Sequence, residues 1–213
     1  MNGDPAENLL DEGQMEILRM AALCFMERGF AATSIDDVAR KLGCTKGRIY
    51  HFFASKADLF FSVAEIGMEF NHKAIRSCEH IAAPFDRLRA MALAHSLSMI
   101  ETRAYQHAVW QGVELHLRGA TTPEQRNRLD ALIASRDQYS DVFRDVMEQA
   151  RERGELTYPD AGIARQLMLV ALSSPMFWYK PRDAETLDDR IKVARQCVDF
   201  ALSGLGARPP VKR

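Results

Sequence analysis

Ser34-Ile35-Asp36-Asp37-Val38-Ala39-Arg40-Lys41-Leu42-Gly43-Cys44-Thr45-Lys46-Gly47-Arg48-Ile49-Tyr50-His51-Phe52-Phe53 is the stretch that decides the fold of this 213-residue chain. Ser34 has a hydroxyl suited to a helix N-cap, and Asp37 stands three residues on, where the two side chains can satisfy each other's backbone N–H groups. Ile35, Val38, Ala39 and Leu42 then recur at three- and four-residue steps and supply a buried stripe. Gly43 terminates that helix. Only Cys44 intervenes before Thr45, a second cap, opens a helix through Lys46 to Phe52. Two helices of about two turns joined by a tight glycine-containing turn predict a helix-turn-helix. Ala39 is small where the two helices cross, and Ile49 anchors the second helix on the first.

From Arg40 to Lys56 the ionisable side chains are Arg40, Lys41, Lys46, Arg48 and Lys56, with no Asp or Glu. This stretch is locally +5, although 28 Lys and Arg against 29 Asp and Glu leave the whole chain at −1. Near-neutrality argues against a surface coated in basic charge for indiscriminate nucleic-acid binding, but not against one local patch. DNA recognition needs cations near phosphates and an exposed helix face that reaches base edges. Gly47 lets the helix backbone approach DNA, Lys46 and Arg48 flank it as donors, and Tyr50 and His51 bring a hydroxyl and an imidazole suited to phosphate oxygens. A charge run alone reads as a solvated face; the helix-turn-helix spacing around this one favours DNA.

Outward from the motif, periodicity predicts an all-α chain. Ile17, Leu18, Ala21, Cys24 and Phe25 form one face of a first helix that stops at Gly29. A connecting helix is expected from Asp58 to about His80, another from Pro84 to about Thr102, and a third from Tyr105 to Leu117. After the break Arg118 to Pro123, a long helix carries Leu129, Leu132, Ile133, Arg136, Tyr139, Phe143, Val146 and Ala150 and closes at Gly154. Pro175 ends or kinks the next helix, and Leu187 to Leu205 is the last. The expected organisation is a DNA-binding domain over 12–72 (motif 34–53), a second helical domain over 73–205, and a mobile tail over 206–213.

Cys24, Cys44, Cys78 and Cys197 have no paired spacing, which favours reduced thiols, and Cys44 reads as an apolar filler of the turn. The segment Met1 to Glu7 lacks the basic-then-apolar pattern of a secretory signal, and no run of about 18 apolar residues is available to span a bilayer. A cytoplasmic protein, nucleoid-associated when on DNA and without a membrane partner, is expected.

The run from Gly29 to Leu59, which includes Gly29-Phe30-Ala31-Ala32-Thr33 before the motif and Ala54-Ser55-Lys56-Ala57-Asp58-Leu59 after it, resembles the signature of the TetR family of transcriptional regulators. The resemblance implies an N-terminal three-helix DNA reader, a larger helical domain for a small-molecule effector, and a homodimer on a palindromic double-stranded operator. By position, Thr33, Tyr50, His51 and Lys56 resemble phosphate contacts, while Thr45, Lys46, Gly47 and Arg48 resemble the base-reading face. Arg48 stands where a small hydroxyl residue is common and is expected to read a guanine.

The same resemblance implies an apolar cavity between helices of the second domain, for which Met91, Trp110, Tyr139, Phe143, Met168, Phe177 and Trp178 are the candidate lining residues. It also implies that the last two long helices pair with their symmetry mates, through Ile163, Leu167, Val170, Ile191, Ala194, Val198 and Leu202. The run Ser174-Pro175-Met176-Phe177-Trp178-Tyr179-Lys180-Pro181 looks like the branch of the family that includes regulators of fatty-acid, sterol and aromatic-acid degradation, several of which respond to acyl-CoA thioesters. Arg136, Lys180 and Arg182 are cations available to CoA phosphates, although Glu114 and Arg136 are expected to face inward and to pair with each other.

An enzyme is disfavoured: the sequence holds no Gly-rich phosphate loop, no His-Glu-x-x-His and no Gly-x-Ser-x-Gly. No cofactor is expected. His72, His80, His95, His107 and His116 do not form i, i+4 pairs on one helix, so a metal-responsive regulator is a weaker alternative, and no metal ligands are assigned. The other alternative is a helical interaction protein with a non-functional DNA-binding head, disfavoured by the presence of Lys46, Gly47, Tyr50 and Lys56.

Overall fold

The computed structural model describes residues 12–118 and 122–207, and among them every regular element is a helix. The Met1 to Glu7 segment, the centre of the expected break at 119–121 and the tail from Arg208 onward lie outside the described residues.

Three helices build the head: α1 (Glu12–Ala32), α2 (Ile35–Leu42) and α3 (Lys46–Phe52). The N-cap of α2 is the reciprocal box its spacing predicts. Ser34 Oγ accepts from the Asp37 N–H at 3.2 Å, and Asp37 accepts from the Ser34 N–H at 2.9 Å and its hydroxyl at 2.6 Å. These bonds favour the carboxylate and bring the Asp37 pKa down to about 2. Gly43 closes α2 at φ 74°, a left-handed conformation that only glycine adopts at little cost. Thr45 does stand at the N-cap of α3, although its hydroxyl makes no capping bond.

α4 (Lys56–Arg76), α5 (Pro84–Glu101), α6 (Arg103–Arg118) and α7 (Pro123–Glu152) follow, then α8 (Ala161–Ser173), the short α9 (Pro175–Trp178) and α10 (Leu187–Gly204). Pro84 and Pro175 each begin a helix, where a missing N–H costs nothing. Asp160 caps α8 through the Ile163 N–H at 2.7 Å, and Thr186 and Asp189 repeat the reciprocal box at α10.

The chain divides into two compact units that interleave along the sequence. One takes the stretch up to Gly67 together with Ala104–Leu132, and the other takes Met68–Arg103 and the chain from Ile133 onward. In the first, Ile17, Leu18, Phe25, Val38, Ile49, Phe53 and Leu59 are buried, and Phe25, Phe30 and Phe60 form an aromatic cluster with centroid separations of 4.7–6.2 Å. Burying such rings adds to the apolar core that the aliphatic side chains of the head build.

In the second unit, α5 packs against α8, α9 and α10, around Leu88, Met91, Ala92, Phe143, Met147, Met168, Leu172, Ala194 and Val198. This corrects the expected interface on the last helix. Ala194, Val198 and Leu202 are covered within the chain itself, because α10 turns that stripe onto α5 and α8, and Ile191 is half-buried. Its outward apolar side chains include Leu187 and Phe200, 53% and 74% exposed, while Ile163, Leu167 and Val170 do lie exposed on α8.

Candidate nucleic-acid interface

α3 is held by one buried residue, Ile49, and presents the rest of its length outward. Thr45, Lys46, Gly47, Arg48, Tyr50 and His51 are all exposed, and the Tyr50 ring stands 52% open. A seven-residue helix fixed by a single inward anchor on a capped partner offers nearly its whole outer face to a groove. His51 packs edge-on against Phe52 at 4.9 Å, which limits the freedom of its imidazole.

Two of the expected contacts have other duties. Thr33 is 2% exposed, and its hydroxyl donates to the Gly29 carbonyl at 2.8 Å and lies 3.2 Å from that of Cys24. With its proton spent inside the head, it ties the end of α1 together and is not open to a phosphate. Lys56 donates to the Phe30 carbonyl at 2.9 Å and the Ala31 carbonyl at 3.3 Å, with its ammonium 4.5 Å from the Phe30 ring centroid. It pins the start of α4 to the end of α1 and keeps one N–H for an outside acceptor.

The cations that stand unopposed along the sequence meet carboxylates in three dimensions. Lys46 pairs with Asp36 at 2.6 Å, Arg48 with Glu16 at 2.9 Å and Arg40 with Asp37 at 3.4 Å, while Lys41 pairs with Glu27. The +5 count is therefore offset locally, from α1 and from the first turn of α2.

Sequence periodicity also missed how α6 and the beginning of α7 complete the head. Gly29 kinks α1 at φ 77° and ψ 164°, outside helical geometry, and the Phe30 N–H just after it is met from another helix. The Gln111 side chain on α6 receives that N–H at 2.8 Å and donates to the Phe25 carbonyl at 2.9 Å. Arg128 on α7 reaches Asp58 at 3.0 Å and Glu65 at 2.8 Å on α4, with its guanidinium 5.4 Å from the Phe61 ring centroid. A cavity of about 340 Å³ lies beside that clamp, bordered by Ser55, Asp58, Phe61, Thr122, Gln125 and Arg128.

Residues 17–63 match the bacterial regulatory proteins of the tetR family, and residues 82–205 match the tetracyclin repressor-like C-terminal domain. The chain belongs to the TetR family. Among curated relatives of this TetR-family regulator is the HTH-type transcriptional repressor KstR2 of Mycobacterium tuberculosis, 26% identical over 191 residues that cover 89% of this chain and 91% of the relative. Among solved structures, the TetR family regulator PfmR of Thermus thermophilus aligns with a TM-score of 0.73 at 28% identity, over 89% of this chain and 98% of that one. AibR, solved in complex with isovaleryl coenzyme A and operator DNA, aligns with a TM-score of 0.69 at 27% identity, over 90% and 98% of the two chains.

In the second unit of this TetR-family chain, Met91, Tyr139, Phe143 and Met168 are each buried. The other three expected pocket residues are more exposed. Trp110 sits on α6 in the first unit at 42% exposure, while Phe177 and Trp178 on α9 are about half exposed, the Trp178 indole N–H donating to Ser174 Oγ at 3.2 Å.

Among the interior four, Tyr139 belongs to a polar line the sequence did not reveal. Its hydroxyl is 2.8 Å from His95 Nδ1, and His95 Nε2 is 2.9 Å from the Ser173 hydroxyl. Burial brings the His95 pKa down to about 4 and pushes that of Tyr139 up, so both are neutral. One imidazole nitrogen donates and the other accepts, which the two hydroxyls can match. One turn before Tyr139 on α7, the half-buried Arg136 has its pKa lowered by burial, and no carboxylate forms a salt bridge with it among the described residues.

Proposed function

We propose that this TetR-family chain is a homodimeric repressor that leaves a palindromic operator when a small effector, an acyl-CoA-like thioester, binds its second unit. The observation that carries the DNA-binding half is α3 itself, exposed over Thr45, Lys46, Gly47, Arg48, Tyr50 and His51 on a capped two-helix base. In this reading Lys46 and Arg48 meet base edges, Arg48 a guanine, while Tyr50, His51 and the remaining N–H of Lys56 meet phosphates.

For the effector, the buried apolar side chains of Met91, Phe143 and Met168 and the polar line of His95, Tyr139 and Ser173 are the candidate lining, and Arg136, which has no salt-bridge partner among the described residues, is a receptor for an anionic group. The relative solved with isovaleryl coenzyme A supports the thioester class. Ile163, Leu167 and Val170 on α8, with Phe200 on α10, supply the apolar seam for a second copy. In this reading the expected domains 12–72 and 73–205 divide between these two tasks, except that residues 104–132 go with the DNA reader. Repression requires the two α3 helices of the dimer to sit about one helical turn of DNA apart, roughly 34 Å, and an effector that prefers another separation releases them. This is the chemistry of a cytoplasmic binding protein on the nucleoid, not of an enzyme. Among the described residues no helix is long and apolar enough to cross a membrane, and no cluster of His, Cys, Asp and Glu could hold a metal.

Genome-wide identification of bound fragments, followed by electrophoretic mobility shift on the recovered duplex with a panel of acyl-CoAs, tests both halves. A shift reversed by one thioester is expected. No recovered fragment would refute the DNA-binding half, and a shift that every thioester leaves intact would refute the effector class.

A further inference from the structure

The two cations at the front of α3 are both held by carboxylates of the elements behind it. Asp36, in the first turn of α2, lies 2.6 Å from Lys46 Nζ, and Glu16, on the first half of α1, lies 2.9 Å from Arg48. All four side chains are about half exposed, so the pairs sit on the outer face that would meet DNA. Neither is a capping interaction: the α2 cap is Ser34 with Asp37, and Glu16 lies 32 residues from Arg48 in the chain. Asp36 also complements the N-terminus of α2, whereas nothing in the local geometry of α1 requires Glu16.

We propose that Glu16 and Asp36 are specificity-determining residues that occupy Arg48 and Lys46 until a correct site displaces them. The proposal rests on the reading of α3 as the DNA-reading helix. A duplex without the right bases offers these cations only phosphate attraction, and each cation must first leave its carboxylate to use it. The displaced carboxylates then remain at the interface, facing phosphates of like charge. A correct site returns that cost through base-edge hydrogen bonds, since a guanine can take both arms of Arg48, and a wrong one does not. Exposed ion pairs are weak enough for DNA to open, and losing one changes an equilibrium by about two- to fivefold per protomer. Two such pairs on each subunit therefore act mainly on the ratio of specific to non-specific binding. Salt screens exposed pairs, so the effect is largest at low ionic strength.

The test is fluorescence polarisation of the full-length protein with a labelled random-sequence duplex and with its recovered operator, in a series of salt concentrations. Glu16→Gln and Asp36→Asn are compared with Asp183→Asn, which changes net charge equally on an exposed loop of the second unit. All three positions are exposed or half-exposed, and unchanged thermal melts establish that the fold is kept. Glu16→Gln and Asp36→Asn are expected to tighten binding to the random duplex about two- to fivefold per protomer at low salt and to tighten operator binding less, lowering the specificity ratio. The gain is expected to shrink as salt rises, and Asp183→Asn to leave the ratio as it is. An unchanged ratio in both variants, or the same change with Asp183→Asn, overturns the proposal while leaving operator binding standing. A wild-type protein that distinguishes no operator from random DNA removes the underlying reading instead.

Discussion

His95 makes the stability of the second unit sensitive to mild acid in a way that can be worked out from its surroundings. The imidazole is fully buried between the Tyr139 and Ser173 hydroxyls, and burial alone lowers its pKa from 6.5 to about 4. The unfolded chain carries the ordinary value, so between the two values the unfolded state binds a proton that the native state refuses. Stability is then complete above the unfolded pKa and falls as pH drops towards the folded one. The gap corresponds to about 3 kcal/mol in full, of which about 2 kcal/mol is already lost by about pH 5. Urea unfolding at a series of pH values, for wild type and for His95→Gln, isolates this contribution, because the amide keeps a donor and an acceptor but does not titrate. The wild-type advantage over the variant should shrink by about 2 kcal/mol between about pH 7.5 and pH 5. A constant difference across that range, or an imidazole that titrates near 6.5 in the folded protein by nuclear magnetic resonance, would refute the reasoning.

Gln111→Ala removes the acceptor of the Phe30 N–H and the donor to the Phe25 carbonyl. Two lost bonds at a partly buried kink should cost about 2 kcal/mol, read as a lower urea midpoint together with faster hydrogen exchange at Phe30; a change under about 0.5 kcal/mol would contradict the latch. Leu167→Glu places a charge on the exposed seam of α8 and should convert a dimeric mass by light scattering at micromolar concentration into a monomeric one, with the helical circular dichroism unchanged. A variant that stays dimeric would move the interface elsewhere.

Local chemistry was legible wherever a few consecutive residues carry it. Ser34 with Asp37, Gly43, Pro84 and Pro175 announce helix boundaries because caps, left-handed turns and first-turn prolines depend on neighbours within about four residues. The outward face of α3 followed from the same logic, with Ile49 as its anchor. Pairings across the fold were not legible. Glu16 reaches Arg48 and Glu27 reaches Lys41 from another helix, so a count along the sequence saw five free cations where each is engaged. His95, Tyr139 and Ser173 come from three helices, and nothing local distinguishes such a triad from scattered residues. On α10 the apolar repeat was correct, but a stripe does not say whether its own chain or a second one covers it. Ala194, Val198 and Leu202 meet α5 and α8, and only the tertiary packing reveals it.

The kink of α1 at Gly29 and its repair by Gln111 bear on how regulators of this kind are recombined. A head excised after α4 would carry the kink without the amide that completes it, and α4 without the arginine that clamps Asp58 and Glu65. Residues 104–132 are thus inherited with the DNA reader although they lie well beyond it in the gene. A graft that gives one sensor a new operator has to exchange two separated segments of coding sequence, and a crossover placed at the apparent end of the motif would divide a single folding unit.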